Sequence, residues 1–235
     1  MRTGAGPAAC AATAFLLALS SPAHAQLAGG LTLQSDYRQR GVSLSDLRPA
    51  LSLTLGDDFA NGVYVGASTV AQDAAQEGPR LLGHMEYLGY AARRSGGLGW
   101  DVGVDNQDFS VHGQGRIRSR YTEAYFGLSD GDLGARLYLS PNYLRSGLSV
   151  AYLDLNGAYR PSTDWRLAAH LGVFQPLAGT AGTTVRETRY DLRFDAVRRL
   201  GPVELDLGWT TAFPAALPET RRSRPAMVIG ATAFF

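Results

Sequence analysis

The chain has 235 residues, of which 45% are hydrophobic, 10% aromatic and 18% charged, and its formal net charge is +1. The hydrophobic fraction excludes a disordered chain, and the near-neutral charge argues against a partner made of nucleic acid. Beyond the N-terminus no run approaches 18 apolar residues, which excludes a bundle of membrane-spanning helices.

The N-terminus has the features of a secretory signal peptide. Arg2 precedes an apolar run from Ala8 to Leu19, and Ala23-His24-Ala25 is a small-x-small cleavage site. We expect cleavage after Ala25; the alternative is a short membrane anchor, for which the run is too short. The only cysteine, Cys10, lies near the start of this run, so the mature chain should have neither a lipid anchor nor a disulfide.

Residues 26–235 predict one all-β domain, because polar and apolar residues alternate in segments bounded by Gly, Pro, Asp and Asn. Between 189 and 197, for example, Tyr190, Leu192 and Phe194 alternate with Arg and Asp. Twelve such segments follow one another: 27–40, 49–56, 62–71, 80–93, 98–108, 120–129, 133–141, 147–160, 165–175, 188–199, 203–213 and 225–235. Their lengths suit tilted strands that cross a bilayer, and an even number is typical of bacterial outer-membrane barrels.

The connections between these segments alternate in length. Five are short (56–61, 94–97, 130–132, 161–164 and 200–202), and five are mostly longer (41–48, 72–79, 109–119, 176–187 and 214–224). Only the connection at 142–146 is short where a long one is expected. Short periplasmic turns and longer outer loops are the habit of outer-membrane barrels.

A soluble β-sandwich or lipocalin-like barrel would also have alternating strands. Two features favour a transmembrane up-and-down barrel. Aromatic residues lie at segment ends, where interfacial girdles belong: Trp100, Trp165, Phe109, Phe174 and Phe213. The last segment also has one apolar face and ends on Phe235, which resembles the recognition signal for barrel assembly. We therefore expect outer-membrane lipid and the barrel-assembly machinery as partners, in the outer membrane of a Gram-negative bacterium.

The first segment carries the most specific motif of the chain. Ser35-Asp36-Tyr37-Arg38-Gln39-Arg40-Gly41-Val42-Ser43 is followed by Ser45-Asp46 and Pro49-Ala50, and this run resembles the opening motif of the TorF-family porins. Weaker similar segments are Tyr121–Tyr125 and Tyr152–Leu155, while Leu44 departs from the Gln-like residue common there. The resemblance implies an outer-membrane barrel with a pore, and it brings neither an established solute nor catalytic residues.

Charged residues on the predicted inner face are the candidate lumen lining. Asp36, Arg38 and Arg40 would share one face of the first strand, where an acid and an arginine two residues apart can pair across a pore or fix the register. The other candidates are Glu86, Asp101, Glu123, Arg136, Asp154, Arg166, His170, Arg189, Asp191, Arg193, Asp195, Glu204 and Asp206. Mixed signs can line an open pore with weak ion preference, or pair and close it.

Searches for a nucleophile elbow, a phosphate loop, a dinucleotide fingerprint and zinc spacings find nothing, so we expect no cofactor, no metal and no catalytic residue. The alternative hypothesis of an enzyme requires a lipid-facing Ser-His pair like that of outer-membrane phospholipase A. It is disfavoured because His84 and His170 are expected to point inward. The sequence thus predicts a passive channel for small hydrophilic solutes; a closed structural or adhesive barrel is the alternative, and a membrane-embedded hydrolase is the least favoured reading.

Overall fold

A computed structural model describes residues 27–73, 78–111, 117–143, 147–178, 187–214 and 222–235. The predicted signal peptide and its cleavage site lie outside these residues. The described residues form fourteen strands: β1 Ala28–Gln34, β2 Arg38–Gln39, β3 Val42–Ser43, β4 Ala50–Asp58, β5 Val63–Asp73, β6 Pro79–Arg93, β7 Gly99–Val111, β8 Ile117–Asp130, β9 Leu133–Tyr143, β10 Leu148–Tyr159, β11 Trp165–Ala178, β12 Arg189–Leu200, β13 Val203–Phe213 and β14 Ala226–Phe234. Within the described ranges, no helix is long and apolar enough to cross a membrane.

The twelve long strands form a closed antiparallel barrel, which confirms the predicted fold. Each strand pairs with its neighbours along the chain, and β1 closes the barrel by pairing with both β4 and β14. Closure satisfies the backbone hydrogen bonds of every strand, as a bilayer without water requires. Among the described strands, the two short ones, β2 and β3, pair only with each other and form a separate hairpin.

Apolar side chains cover the outside of the barrel. Along β4, Leu51, Leu53 and Leu55 are exposed while the residues between them are half-buried. The same alternation on the other strands exposes Leu31, Leu137, Leu167, Phe194, Leu207 and Ile229. An apolar outside and a polar inside invert the pattern of a soluble barrel, because lipid and not water surrounds such a surface. The structure therefore excludes the soluble alternative.

The start of β1 meets the last residue of the chain at the end of the barrel that carries the short turns. The backbone N–H of Gly29 donates to the carbonyl of Phe235 at 2.9 Å, and that of Phe235 donates back at 3.1 Å. At the same end, Gly131 and Gly201 take positive φ angles of 56° and 64° in their turns. These angles favour glycine because a Cβ would be strained there. The Phe235 ring stays exposed on the outer surface and lies over Gly29.

One predicted segment is wrong in its extent. We expected a strand from 27 to 40, but β1 ends at Gln34 and the chain then turns away from the wall. Asp36, Arg38 and Arg40 therefore do not share a face of the first strand. They belong to the small β2–β3 hairpin, whose contacts lie inside the barrel.

Candidate functional site

The residues between β1 and β4 fold into the barrel. Residues 36–45, which we name the luminal hairpin, contain β2 and β3 with the pairs Arg38–Ser43 and Gln39–Val42. Its tip is Arg40-Gly41, with φ angles of 48° and 72°. Such left-handed values make a tight reversal, for which glycine is the residue of least strain. The hairpin thus has its own turn and its own strand pairing.

Asp36 is the centre of the hairpin's base. Its carboxylate is buried and accepts hydrogen bonds from Ser43 Oγ at 2.5 Å, Ser45 Oγ at 3.0 Å and Arg38 Nε at 2.6 Å. Arg38 Nη1 in turn donates to the carbonyls of Gly41 at 3.0 Å and Arg224 at 2.9 Å. The acid–arginine pair expected from the sequence is therefore present, but it ties the hairpin to itself and does not cross the lumen.

An apolar contact holds the hairpin against one side of the wall. The ring of Tyr37 stacks on Phe109 of β7 with 5.7 Å between centroids. Leu44 joins this buried group, which also contains Ala50, Val70 and Leu82. Burial of two aromatic rings stabilises the inserted position, since stacked pairs contribute beyond their buried area.

The tip of the hairpin reaches strands far from β1. Arg40 makes an ion pair with Glu123 of β8, a carboxylate with no exposed surface, and Gln39 donates to Gln107 of β7. The guanidinium of Arg40 also lies 4.0 Å from the ring centre of Tyr152 on β10. Burial alone would lower the pKa of Arg40, but the Glu123 carboxylate and the surrounding tyrosines raise it well above its usual range, so the side chain is charged.

The opposite side of the hairpin rests on the other half of the wall. A Cβ placed on Gly41 would lie 2.6 Å from the carbonyl oxygen of Thr211 and 2.9 Å from Cβ of Asp191, so the backbone packs directly against β12 and β13. The N–H of Ser43 donates to the carbonyl of Arg222 at 3.0 Å, which links the hairpin to the last connection. Contacts on both sides mean that the hairpin crosses the lumen and obstructs it at this level.

A second layer of charges lies beside the tip. Arg136 Nη2 is 2.6 Å from Asp101, whose carboxylate also accepts from the Tyr64 hydroxyl at 2.8 Å. These residues stand on β9, β7 and β5, so the contacts pass through the interior between strands that are not neighbours. His170 Nε2 lies 2.8 Å from Asp191 and Nδ1 lies 3.0 Å from Asp154.

A third group of charges lies on β11 to β13. Arg193 contacts Asp195 at 2.7 Å and Asp206 at 3.6 Å, and Arg166 contacts Glu204 at 3.2 Å. Arg189, at the other end of β12, covers the ring of Phe174 at 4.1 Å. The structure thus brings most of the sequence-predicted lumen residues into paired, mixed-sign layers.

Glu86 was predicted in the lumen, and this prediction is wrong. Its side chain is 52% exposed on the outside of β6, on the same face as Leu88, and it pairs with His84 at 3.3 Å. His84, expected to point inward, is on the outer surface as well. With their neighbours these residues make an exterior polar cluster of His84, Glu86, Asn106, Asp108, Arg120 and Thr122.

The exterior polar cluster is internally hydrogen-bonded. Asn106 donates to Glu86 at 3.1 Å and accepts from the Thr122 hydroxyl at 3.2 Å, while Arg120 lies 3.6 Å from Asp108. The Thr122 hydroxyl thus donates to an amide, and within the described residues it makes no hydrogen bond with His84. No group of three or more His, Cys, Asp or Glu in the described ranges is arranged to hold a metal ion.

Sequence reasoning missed the tyrosines and amides that receive the hairpin. Tyr121, Tyr138, Tyr143 and Tyr152 surround Arg40, and Gln107 holds Gln39. A signal was present in the sequence, because Tyr121 and Glu123 are two residues apart and so share one face of β8. We expected Phe109 and Phe174 in interfacial girdles, but this is wrong, because both rings are buried inside the barrel against Tyr37 and Tyr143.

The comparisons with known proteins agree on the fold. A family model described as "Bacterial protein of unknown function (Gcw_chp)" matches residues 19–191. No curated protein matches the sequence. Among solved structures, the NanC porin is similar with a TM-score of 0.58 and 14% identity over 87% of this chain and 99% of that one. The KdgM porin has a TM-score of 0.56 and 12% identity over 88% and 99%. At these identities the likeness shows a common barrel fold.

Proposed function

The chain belongs to the Gcw_chp family of bacterial proteins, and we propose that it forms an outer-membrane channel for small hydrophilic solutes with a displaceable luminal hairpin. The observation that carries this proposal is the pairing of the hairpin. β2 and β3 pair with each other and with no barrel strand in the described ranges. The hairpin can therefore leave the lumen as a unit without breaking any of the strand pairs that close the barrel.

The polar interior supports a water-filled path when the hairpin is displaced. Charged layers such as Arg193 with Asp195 and Arg166 with Glu204 line the wall below the hairpin, and their side chains are partly exposed. Rings of charged side chains are a usual lining of ion-conducting pores. The NanC and KdgM porins share the fold, and the sequence resemblance to TorF-family porins agrees with the same function.

Outer-membrane location is part of the proposal. The apolar exterior, the even strand number and the short turns at one end are features of bacterial outer-membrane barrels. The predicted export signal and the apolar outer face of β14 point to the same compartment.

A closed structural barrel is the second candidate, and the filled lumen favours it. In that case the hairpin is a permanent plug, and the ion pairs at Arg136 and His170 only stabilise the wall. Catalysis has less support, because the exterior polar cluster holds no paired nucleophile and base among the described residues.

Single-channel recording separates the two candidates. The mature protein should be compared in planar bilayers with a variant in which residues 38–43 are replaced by Gly-Gly, which removes the hairpin but keeps Tyr37 and Leu44. Arg160→Ala, in an exposed turn, is the matched control. We expect brief openings for the mature protein and its control, and a larger, persistent conductance for the shortened variant. A shortened barrel that is folded by heat-modifiable mobility but silent would establish the structural barrel.

A further inference from the structure

The socket that receives Arg40 is built by the barrel wall. The guanidinium carbon of Arg40 lies 4.0 Å from the ring centre of Tyr152 and 5.5 Å from that of Tyr121. It lies 5.8 Å from the ring centres of Tyr138 and Tyr143. We name these four residues the tyrosine cage. The carboxylate of Glu123, with no exposed surface, completes the socket by pairing with Arg40.

The tyrosine cage does not depend on the hairpin for its shape. The rings of Tyr121 and Tyr143 are 4.5 Å apart, those of Tyr138 and Tyr152 are 6.1 Å apart, and Tyr143 packs edge-on against Phe174 at 5.0 Å. All five rings stand on the neighbouring barrel strands β8 to β11. The wall pairing therefore holds the cage in place when the hairpin is displaced, as a preformed site requires.

The cage has hydrogen-bonding capacity that Arg40 leaves unused. Glu123 Oε1 and Arg40 Nη1 are both buried, and neither has a hydrogen-bond partner in the described part of the chain. A buried carboxylate oxygen without a donor is costly. A free solute with several N–H groups can donate to both oxygens of this carboxylate. The Arg40 side chain does not, because the hairpin backbone restricts its position.

The wall around the cage carries a negative charge when Arg40 leaves it. Glu123, Asp105, Asp154 and Asp191 are all buried at or near this level. The described cations that remain nearby are Arg136, which pairs with Asp101, His170, which lies between Asp154 and Asp191, and Arg189, which covers the ring of Phe174; with Asp101 the carboxylates still outnumber them. The vacated socket therefore attracts a cation and repels an anion.

We propose that the tyrosine cage with Glu123 is a binding site for small organic cations of the guanidinium or alkylammonium type, and that Arg40 occupies it as a tethered competitor. Aromatic faces and a buried carboxylate are the groups that bind such cations. The inference rests on the proposed channel for its consequence: a bound solute displaces Arg40 and thereby releases the tip of the hairpin. Small organic cations would then be the class of solute that opens the channel.

The test is binding of methylguanidinium to refolded mature protein in detergent, followed by calorimetry and by tyrosine fluorescence. Arg40→Ala vacates the cage and should bind methylguanidinium at least tenfold more tightly than the unaltered protein. The double variant R40A with Glu123→Gln should lose this gain. Arg193→Ala removes another luminal arginine whose described partners are carboxylates and not the cage, and it should show no gain.

Two further measurements make each outcome decisive. Arg40→Gln keeps most of the side-chain length without the charge, and replaces R40A if that variant does not fold. Sodium and acetate serve as simple cation and anion controls. No saturable methylguanidinium binding by either folded Arg40 variant, or equal binding by R193A, would overturn the inference.

Cation binding by the cage and conductance of the barrel can be tested independently. Cage binding without conductance in the hairpin-shortened variant would keep the cation site and refute the channel. Conductance of that variant without methylguanidinium binding to the Arg40 variants would keep the channel and refute the cation site.

Discussion

The assignment of the two faces of the barrel can be tested with one pair of adjacent alanines. Ala168 and Ala169 are consecutive on β11, so their side chains point to opposite faces. Ala169 is exposed and lies between Gly157 and Phe194 on the neighbouring strands, on the apolar outside. Ala168 lies between Ala158 and Asp195, on the inside.

The position of Ala169 sets the expected cost of a charge there. It follows Trp165, the first residue of β11, by four positions. With a rise of about 3.4 Å per residue and a tilt of about 40°, this places it roughly 10 Å from the turn end. The apolar band of such barrels is about 25 Å tall, so Ala169 is close to its middle. We therefore expect Ala169→Arg to lower the free energy of unfolding by about 2–4 kcal/mol.

Ala168→Arg is the matched control, because the same side chain is introduced one residue away. Its guanidinium would enter the lumen beside Asp195, where water and a carboxylate are available. We expect a change within about 1 kcal/mol. Denaturant titration of folding into lipid vesicles, followed by tryptophan fluorescence, measures both free energies. Equal losses for the two variants, or a larger loss for Ala168→Arg, would refute the face assignment.

Three further results are expected. Phe235→Asp should reduce assembled barrel more than it reduces export, because it removes the apolar end of the last strand; normal outer-membrane levels would contradict this. A membrane-impermeant maleimide should label Glu187→Cys but not Ser162→Cys on intact cells, because we expect the short turns to face the periplasm; the reverse pattern would invert the topology. Asp36→Ala removes the carboxylate that accepts hydrogen bonds from Arg38 and two serines. It should weaken the binding of the hairpin in the lumen by about 1–3 kcal/mol and raise the frequency of channel openings at least tenfold. An unchanged opening frequency would argue against Asp36 as the anchor.

The strands from β4 to β14 were predictable because each alternates over nine or more residues, as in the segment ending at Phe213. The error at β1 has a physical cause. Tyr37, Arg38 and Gln39 alternate just as a strand would, but period 2 does not distinguish a wall strand from a short hairpin that leaves the wall at Ser35. Local pattern identifies extended backbone and leaves its pairing partners open.

The site could be predicted only in part. The ion pair of Arg40 with Glu123 joins residues 83 positions apart, and it depends on where the hairpin folds. Glu86 was misplaced because we assumed that charged residues face the lumen. Leu88 and Tyr90, on the same face of β6, would have indicated the outside, since residues two apart share a face.

The exterior polar cluster gives the barrel an uneven hydrophobic height. On β9 five successive outward positions are apolar, Leu133, Ala135, Leu137, Leu139 and Pro141, whereas β7 offers only Trp100, Val102 and Val104 before Asn106. Two missing positions shorten the apolar height by about 10 Å, given the rise and tilt of a barrel strand. A bilayer of uniform thickness cannot match both sides, so the barrel tilts or the lipid thins beside β6 to β8, at a cost of fractions of a kcal/mol for each ångström of mismatch. The protein should therefore favour thin membranes and should leave a local depression in the leaflet on that side.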